Sequence, residues 1–457
     1  MAATIVGDHC EITELERGGS SAHAGHSPIL EKAFVLFALL YFSQALSPFI
    51  GMGPPPTGYP PELLMRFNMY NRMREVSPTQ SDPVHFTIQA VIYLLAFILT
   101  LRRRKRLIHL LRTEKMLWIL LGVALLSTLW SEVPSLTFRR SLTLCASSLF
   151  GLYLAERYIL GQQLRFYAWT VGIGVLLSLF FIFAVPLYGV MSGDLAGSWN
   201  GTYTHKNALG RIMVFGVLVF FSRARAARTH RVANWLGIGL ALILIGGSRS
   251  LTAVFMLAIF LIILFCDKVL RSKPDRRGAA LGMMTSAGAL LAILIIFSGG
   301  TVLRHFGKDA TLTGRMFLWD MVLTKIGTHP WLGYGYNALW LGTEGTSSAE
   351  IEKAVKWTPG SAHNGFLDLW LTLGLLGLSV FVLQYAATFR RALLFLRSSN
   401  GAEGYWPLTY LLFIAMYNFD ESALLKQSDL FWTVYVVAVY SLHRLALVKG
   451  EASLPLA

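Results

Sequence analysis

Long apolar stretches follow one another along almost the whole chain, and the short connections between them carry arginine and lysine in alternation. A helix needs about 20 mostly apolar residues to cross the hydrocarbon core of a bilayer. The sequence predicts twelve such spans, at 29–50, 84–101, 116–131, 139–156, 166–188, 207–222, 234–248, 250–266, 279–299, 364–385, 406–420 and 429–447. Hydrophobic residues reach 54% and charged residues only 14%, a balance that a water-exposed surface does not carry and lipid-facing helices require. The expected fold class is therefore all-α, a polytopic integral membrane protein.

Orientation follows from where the positive charge sits, because cytoplasmic connections retain lysine and arginine. One set of connections holds Arg102, Arg103, Arg104, Lys105, Arg106, Arg112 and Lys115, then Arg157 and Arg165, then Arg223, Arg225, Arg228 and Arg231. The same set continues with Lys268, Arg271, Lys273, Arg276 and Arg277, and with Arg390, Arg391 and Arg397. These are read as cytoplasmic, and an even number of spans then puts both termini inside. The net charge of +15 is accordingly read as topology, with membrane lipids and not nucleic acid as partner. Arg139 and Arg140 break the pattern, at the outer end of the fourth span. Residues 1–28 lack the basic start of a cleaved signal peptide and are expected to form a cytoplasmic tail, as are 448–457, with 29–447 as the membrane domain. Cys10, Cys145 and Cys266 are far apart and form no CxxC pair, so neither a metal site nor a disulfide framework is expected.

The opposite connections face the periplasm or exterior. One of them, 300–363, is far longer than a helix connection needs and holds Trp319, Trp331, Trp340 and Trp357, too aromatic for a disordered linker. Within it Thr313 is placed to cap a short helix from Gly314 to about Ile326, with Phe317, Leu318, Met321 and Val322 on one side and Gly327 as its stop. Gly333-Tyr334-Gly335, after His329-Pro330-Trp331, reads as a tight turn.

Four polar clusters gather on this same outer side. They are Asn200 to Asn207, with Arg211 one turn deeper; Gly247-Ser248-Arg249-Ser250 in a minimal turn; Thr313-Gly314-Arg315; and Ser361-Ala362-His363-Asn364, with Asp368 beyond. Arginine near the apolar region costs about 2.5–3.5 kcal/mol, so Arg211 and Arg249 either snorkel to the interface or meet a compensating anion. Several guanidinium groups facing one cavity suit a multiply charged anion, and a lipid-linked pyrophosphate fits. For a helix starting at His363, Asp368 points away from the imidazole and towards Asn364. Asp420 or Glu421 is then the candidate carboxylate to orient His363, leaving its other nitrogen to accept a proton. The alternatives are a capping histidine and, for Asp368, a helix–helix hydrogen bond. HExxH, DxD, P-loop and GxSxG motifs are absent from the sequence. The outer tryptophans suit either sugar stacking or anchoring at the membrane interface.

Taken in order, these pieces resemble the O-antigen ligase and polymerase superfamily of bacterial membrane glycosyltransferases, over about 120–440. The resemblance rests on Trp130-Ser131 followed by Arg139-Arg140, on Gly201-Thr-Tyr-Thr-His-Lys-Asn-Ala-Leu-Gly210 and on Ser248-Arg249-Ser250. It continues through Thr313-Gly314-Arg315, His329-Pro330-Trp331-Leu-Gly-Tyr-Gly335, His363-Asn364-Gly365-Phe366-Leu367-Asp368 and Asn418-Phe419-Asp420-Glu421-Ser422. It implies a GT-C-like protein of about twelve helices with one large periplasmic loop, in the bacterial inner membrane, its active site facing the periplasm. It implies transfer of a glycan from undecaprenyl pyrophosphate to a hydroxyl, with inversion and without metal or other cofactor. Carried over, Arg249 and Arg315 are similar to the pyrophosphate-binding pair and His363 to the general base. Arg211, Arg139 and Arg140 are further candidate phosphate contacts, and His205, Lys206, Asn207, Asp420 and Glu421 candidate substrate-orienting residues. The His-Lys-Asn and Asn-Phe-Asp-Glu-Ser stretches look most like the exopolysaccharide-polymerase (ExoQ-like) branch, in which a chain-length regulator is a possible partner. Ligation of polymer to lipid A core and transport of lipid-linked oligosaccharide are the alternatives.

Overall fold

The computed structural model describes residues 28–50, 83–104, 108, 114–226, 230–270, 315–340, 347–355, 357, 359–399 and 402–452. The expected span 279–299, the tail 1–27, most of the connection after the first span and Thr313-Gly314 lie outside the described residues. Every other expected span coincides with a helix. These are α1 (Ile29–Phe42), α2 (Pro83–Leu101), α3 (Met116–Leu126), α4 (Pro134–Arg157), α5 (Leu160–Ala184), α6 (Lys206–Ala226), α7 (Arg231–Ser248) and α8 (Leu251–Leu270). After α9 (Arg315–Thr328) and α10 (Ser347–Val355) come α11 (Gly365–Ser398), α12 (Trp406–Tyr417) and α13 (Leu430–Ala452). Among the described residues the extended structure is limited to an isolated bridge between Val190 and Trp199. Among the described residues five helices, α2, α5, α6, α7 and α11, are long and apolar enough to cross a membrane.

Two helices form the centre. α6 reads as apolar on every side from Ile212 to Phe220, and those residues are all buried, as a helix enclosed by others requires. It packs against α5, α7 and α8. α13 is buried along Leu430–Leu442 and lies against α4, where Gly151 lets the backbones approach so closely that a Cβ there would sit 2.9 Å from the Val436 side chain. Trp432 Nε1 donates to Ser148 Oγ across this contact at 2.8 Å. Buried polar side chains thus hydrogen-bond between helices, as an apolar surround demands.

Arginines read from sequence as topology signals also close the end of the bundle opposite His363. Arg157 Nε meets Glu31 at 2.8 Å, Arg103 meets Glu156 at 3.0 Å, and Arg391 meets Glu114. Both Glu156 and Glu114 are buried, and an unpaired carboxylate there would be costly.

The Trp331–Gly335 segment is more than a turn. α11 is broken at Gly374, whose φ of 66° and ψ of −172° lie outside the helical region and where a Cβ would overlap the Trp331 backbone. The break frees backbone groups, and the loop takes them up. Tyr334 and Gly335 N–H donate to Leu371 and Thr372 carbonyls at 3.0 Å, while Leu375 and Leu376 N–H donate to Pro330 and Trp331 carbonyls at 2.8 and 3.2 Å. A broken helix is tolerated at membrane depth only when its backbone is satisfied in this way. α9 packs on the same head, but with Leu318, Val322 and Ile326 inward beside Met321 and with Phe317 exposed, so the expected apolar side is rotated by one position.

Gly374→Ala is expected to lose about 3 kcal/mol or more through strain and overlap. The melting midpoint of the purified protein in detergent measures it, and an unchanged midpoint would show that the loop does not depend on the break.

Candidate active site

The candidate site is assembled where α11, α12 and α6 begin or end on one side of the bundle. Asn364 caps α11 by accepting from Phe366 and Leu367 N–H at 3.0 and 3.1 Å, so the helix begins at Gly365 and His363 lies outside it. His363 instead has a φ of 49°, the left-handed region. The helical spacing that would turn Asp368 away from it therefore does not apply, and Asp368 does not pair with the Asn364 side chain. Its Oδ1 accepts from Ala362 N–H and Trp340 Nε1, each at 2.9 Å, and its Oδ2 accepts from the Ser422 hydroxyl. Trp319 Nε1 donates to the Ala362 carbonyl at 2.8 Å. The residue before His363 is thus pinned from both sides.

The segment after α12 is docked just as closely. Asn418, fully buried, accepts from Ala423 and Leu424 N–H through Oδ1 at 2.7 and 3.1 Å, and its backbone carbonyl accepts from Gly365 N–H at 2.8 Å. Gly365 has no room for a Cβ, because Asn418 fills it. This close approach brings Glu421 to His363, with Oε2 3.1 Å from Nδ1. Asp420, the other acidic candidate, instead accepts from the Thr252 hydroxyl at the start of α8.

From Glu421 the network continues into α6 and α8. Asn207 Nδ2 donates to Glu421 Oε1 at 3.2 Å, and Ser250 Oγ donates to Asn207 Oδ1 at 3.0 Å. An ionised carboxylate only accepts, so Nδ1 carries the proton shared with Glu421, and in the neutral imidazole Nε2 is then the acceptor. His363 keeps 27% of its side chain exposed, enough for a substrate to reach it. Trp357 lies beside it, ring centroids 5.9 Å apart.

The remaining candidates fall into distinct places. His205 Nδ1 accepts from Asn207 N–H at 3.2 Å, and Lys206 Nζ donates to the Arg249 carbonyl at 3.4 Å, so this cluster starts α6 and ties it to the turn before α8. Arg249 has a φ of 48° at the end of α7, and its exposed guanidinium passes Gly197 in the preceding loop. Arg211 does not snorkel. It is buried, with Cζ 5.0 Å from the centre of the Tyr417 ring and 4.8 Å from that of Phe431. Asp429 and Glu421 interact with its charge. Arg140 donates to the Asn337 carbonyl, whereas Arg139 is exposed. Arg315 opens α9, and its side chain lies outside the described set. Among the described residues no three His, Cys, Asp or Glu side chains gather as metal ligands would.

Sequence reasoning passed over Thr252, read Trp319 as a stacking or anchoring residue and not as a donor to Ala362, gave Asn418 no structural part, and did not find the partners of Asp368. A signal for Asp368 was available: Asn364 is an N-cap type followed by glycine, which moves the helix start past His363.

Comparison with known proteins supplies the rest. Residues 232–382, from the start of α7 to the middle of α11, match the Wzy_C family, described as O-antigen ligase. That stretch includes Arg249, Arg315 and His363 and ends before Glu421. The chain is also 26% identical over 278 residues to the exopolysaccharide production protein ExoQ of Rhizobium meliloti (strain 1021), a match covering 58% of this chain and 62% of that protein. The resemblance read from the sequence is shown by both matches: this is a membrane protein, helical throughout its described elements, similar to the O-antigen ligase family and to an exopolysaccharide production protein.

Proposed function

We propose that this protein polymerises lipid-linked oligosaccharide repeat units, moving a growing glycan from undecaprenyl pyrophosphate to a hydroxyl of the next unit. The observation that carries this reading is the His363 imidazole held by Glu421, with Nε2 free to take a proton, in a chain similar to an exopolysaccharide production protein. The acceptor oxygen attacks the anomeric carbon and its proton passes to Nε2. The bond from that carbon to the pyrophosphate oxygen breaks, and the pyrophosphate lipid leaves. A single displacement of this kind inverts the anomeric carbon.

Arg249 and Arg315 are assigned to the departing pyrophosphate, whose charge grows as the bond breaks; fixed guanidinium groups act there as a metal ion would. Arg211 is assigned a different part. Buried against two aromatic rings and interacting with the charge of Glu421, it is assigned to support of the carboxylate network and not to contact with the substrate. Topology is proposed as twelve spans in the bacterial inner membrane, both termini cytoplasmic and the His363 end periplasmic. The gathering of functional polar residues at one end, with α11 at Gly374 as the one broken helix among the described helices where a transporter pairs such breaks, supports an enzyme over a flippase. The O-antigen ligase description of the matching family favours one second reading, transfer of finished polymer to lipid A core.

Reconstitution of the purified protein with undecaprenyl-pyrophosphate repeat units separates these readings. A polymerase gives a ladder of lengthening lipid-linked glycans; transfer only after lipid A core is added identifies a ligase. His363→Ala is expected to lower the rate by about 100- to 10,000-fold, the usual worth of a general base. Glu421→Gln keeps the hydrogen bond but not the charge, and is expected to fall between His363→Ala and the native protein. Arg249→Ala is expected to cost about 3 kcal/mol, roughly a hundredfold in rate, by analogy with loss of an oxyanion donor. Excess EDTA should leave the ladder intact; its disappearance, with recovery on adding a divalent ion, would replace the arginine assignment.

A further inference from the structure

The four tryptophans of the outer segment look interchangeable in sequence and are not so in the fold. Trp319 and Trp340 are structural: their indole N–H groups are spent on the Ala362 carbonyl and on Asp368. Trp331 is exposed, but its backbone is locked into the break at Gly374, and nine residues of α11 separate that break from Gly365, about 13 Å along a helix. Trp357 differs from all three. Its indole lies beside the His363 imidazole, 5.9 Å between centroids with the planes tilted by 35°. It is 39% exposed, and among the described residues nothing accepts from its N–H.

An indole kept open next to a reactive imidazole has the attributes of a recognition surface. Ligand sites combine aromatic walls with a few convergent polar groups. A sugar ring offers a face of C–H groups to an aromatic plane and a rim of hydroxyls to polar neighbours. With the centroids 5.9 Å apart, a ring packed on the indole lies next to the imidazole, whose Nε2 is the nitrogen not engaged by Glu421. The free indole N–H is left to donate to a further hydroxyl. An interfacial anchor would have no need to lie over the imidazole.

We propose that Trp357 is the platform on which the acceptor sugar packs, setting the hydroxyl to be glycosylated against Nε2 of His363. This rests on the reading of His363 as the base. In the step so positioned, the acceptor O–H proton moves to Nε2, the oxygen bonds to the anomeric carbon, and the pyrophosphate leaves with the electrons of the broken C–O bond. Trp357 takes no proton and forms no bond; it determines where the acceptor lies.

The test varies acceptor and donor separately. Lipid-linked repeat units extracted from producing cells serve as donor, and the glycan released from the same lipid by mild acid serves as acceptor. The measured quantity is the KM of the released glycan, or its Ki against chain growth where it is not extended. In W357A and W357L this constant is expected to rise about five- to tenfold, the scale of one aromatic contact. Donor KM and the rate at saturating acceptor are expected to stay within twofold, and W357F to recover most of the affinity. An unchanged acceptor constant in W357A and W357L, with H363A inactive, overturns the platform and leaves the base reading standing. A fall in saturated rate at constant acceptor KM also overturns it, placing Trp357 with the imidazole and not the sugar. A released glycan that neither accepts nor inhibits in the native protein overturns it too. Full activity in H363A removes the underlying reading instead, whatever Trp357 does.

Discussion

The Asp368 carboxylate is the knot of the outer head. It accepts from the Ala362 backbone, the Trp340 indole and the Ser422 hydroxyl, and these come from three different segments of the chain. Each of those donors, left unpaired in a buried place, would cost about 1–3 kcal/mol, so the three segments hold one relative position or lose several such bonds together. That position fixes the site. Ala362 precedes His363 and Ser422 follows Glu421, and the His363–Glu421 distance is set by bonds made next door to each partner. The hydrogen bonds of the Asp368 carboxylate go to neither the imidazole nor Glu421; they position both.

The two ends of the bundle treat charge in opposite ways. At the end away from His363, Glu31, Glu114 and Glu156 are matched with Arg157, Arg391 and Arg103, so arginine there closes on protein carboxylates. At the His363 end Arg249 is exposed at a helix terminus, while Glu421 meets His363 and Asn207 and Asp420 meets Thr252. An exposed guanidinium is suited to the anion proposed for it, one that arrives from outside. The same residue type thus serves cohesion at one end and, in the proposed function, recognition at the other.

Much of this was legible in the sequence, for physical reasons that also mark where it stops. Apolar length announces helices, and each expected span within the described residues coincides with one. The His363 partner could be narrowed to Asp420 or Glu421, because both lie at an outer helix end; choosing between them needed Thr252, which engages Asp420 from α8. Arg211 between the Tyr417 and Phe431 rings joins three helices, a juxtaposition that no local pattern encodes. The break at Gly374 is hidden for another reason. Leu371 to Leu378 reads as unbroken apolar helix, and only the loop carbonyls of Pro330 and Trp331 make the break affordable.

His363 and Arg249, the two residues whose side chains matter most to the proposed chemistry, share an unusual backbone. Both have φ near +50°, the left-handed region that costs a non-glycine residue about 1–2 kcal/mol. Arg249 stands just past the end of α7, where glycine is the ordinary occupant of such a position. The conformation alone is not diagnostic, since Gln44, His230 and Leu425 share it. The surroundings separate these cases. At His363 the flanking Ala362 is held through its N–H and its carbonyl, and Asn364 is held by its cap, so the strained residue is fixed on both sides and its imidazole has one direction to point. At Arg249 the carbonyl is held by Lys206 and the neighbouring Ser250 by Asn207. Glycine would relieve the strain at both positions and remove the side chain with it. Strain retained in this way, next to bonds that over-determine it, is what a site pre-organised for one geometry requires.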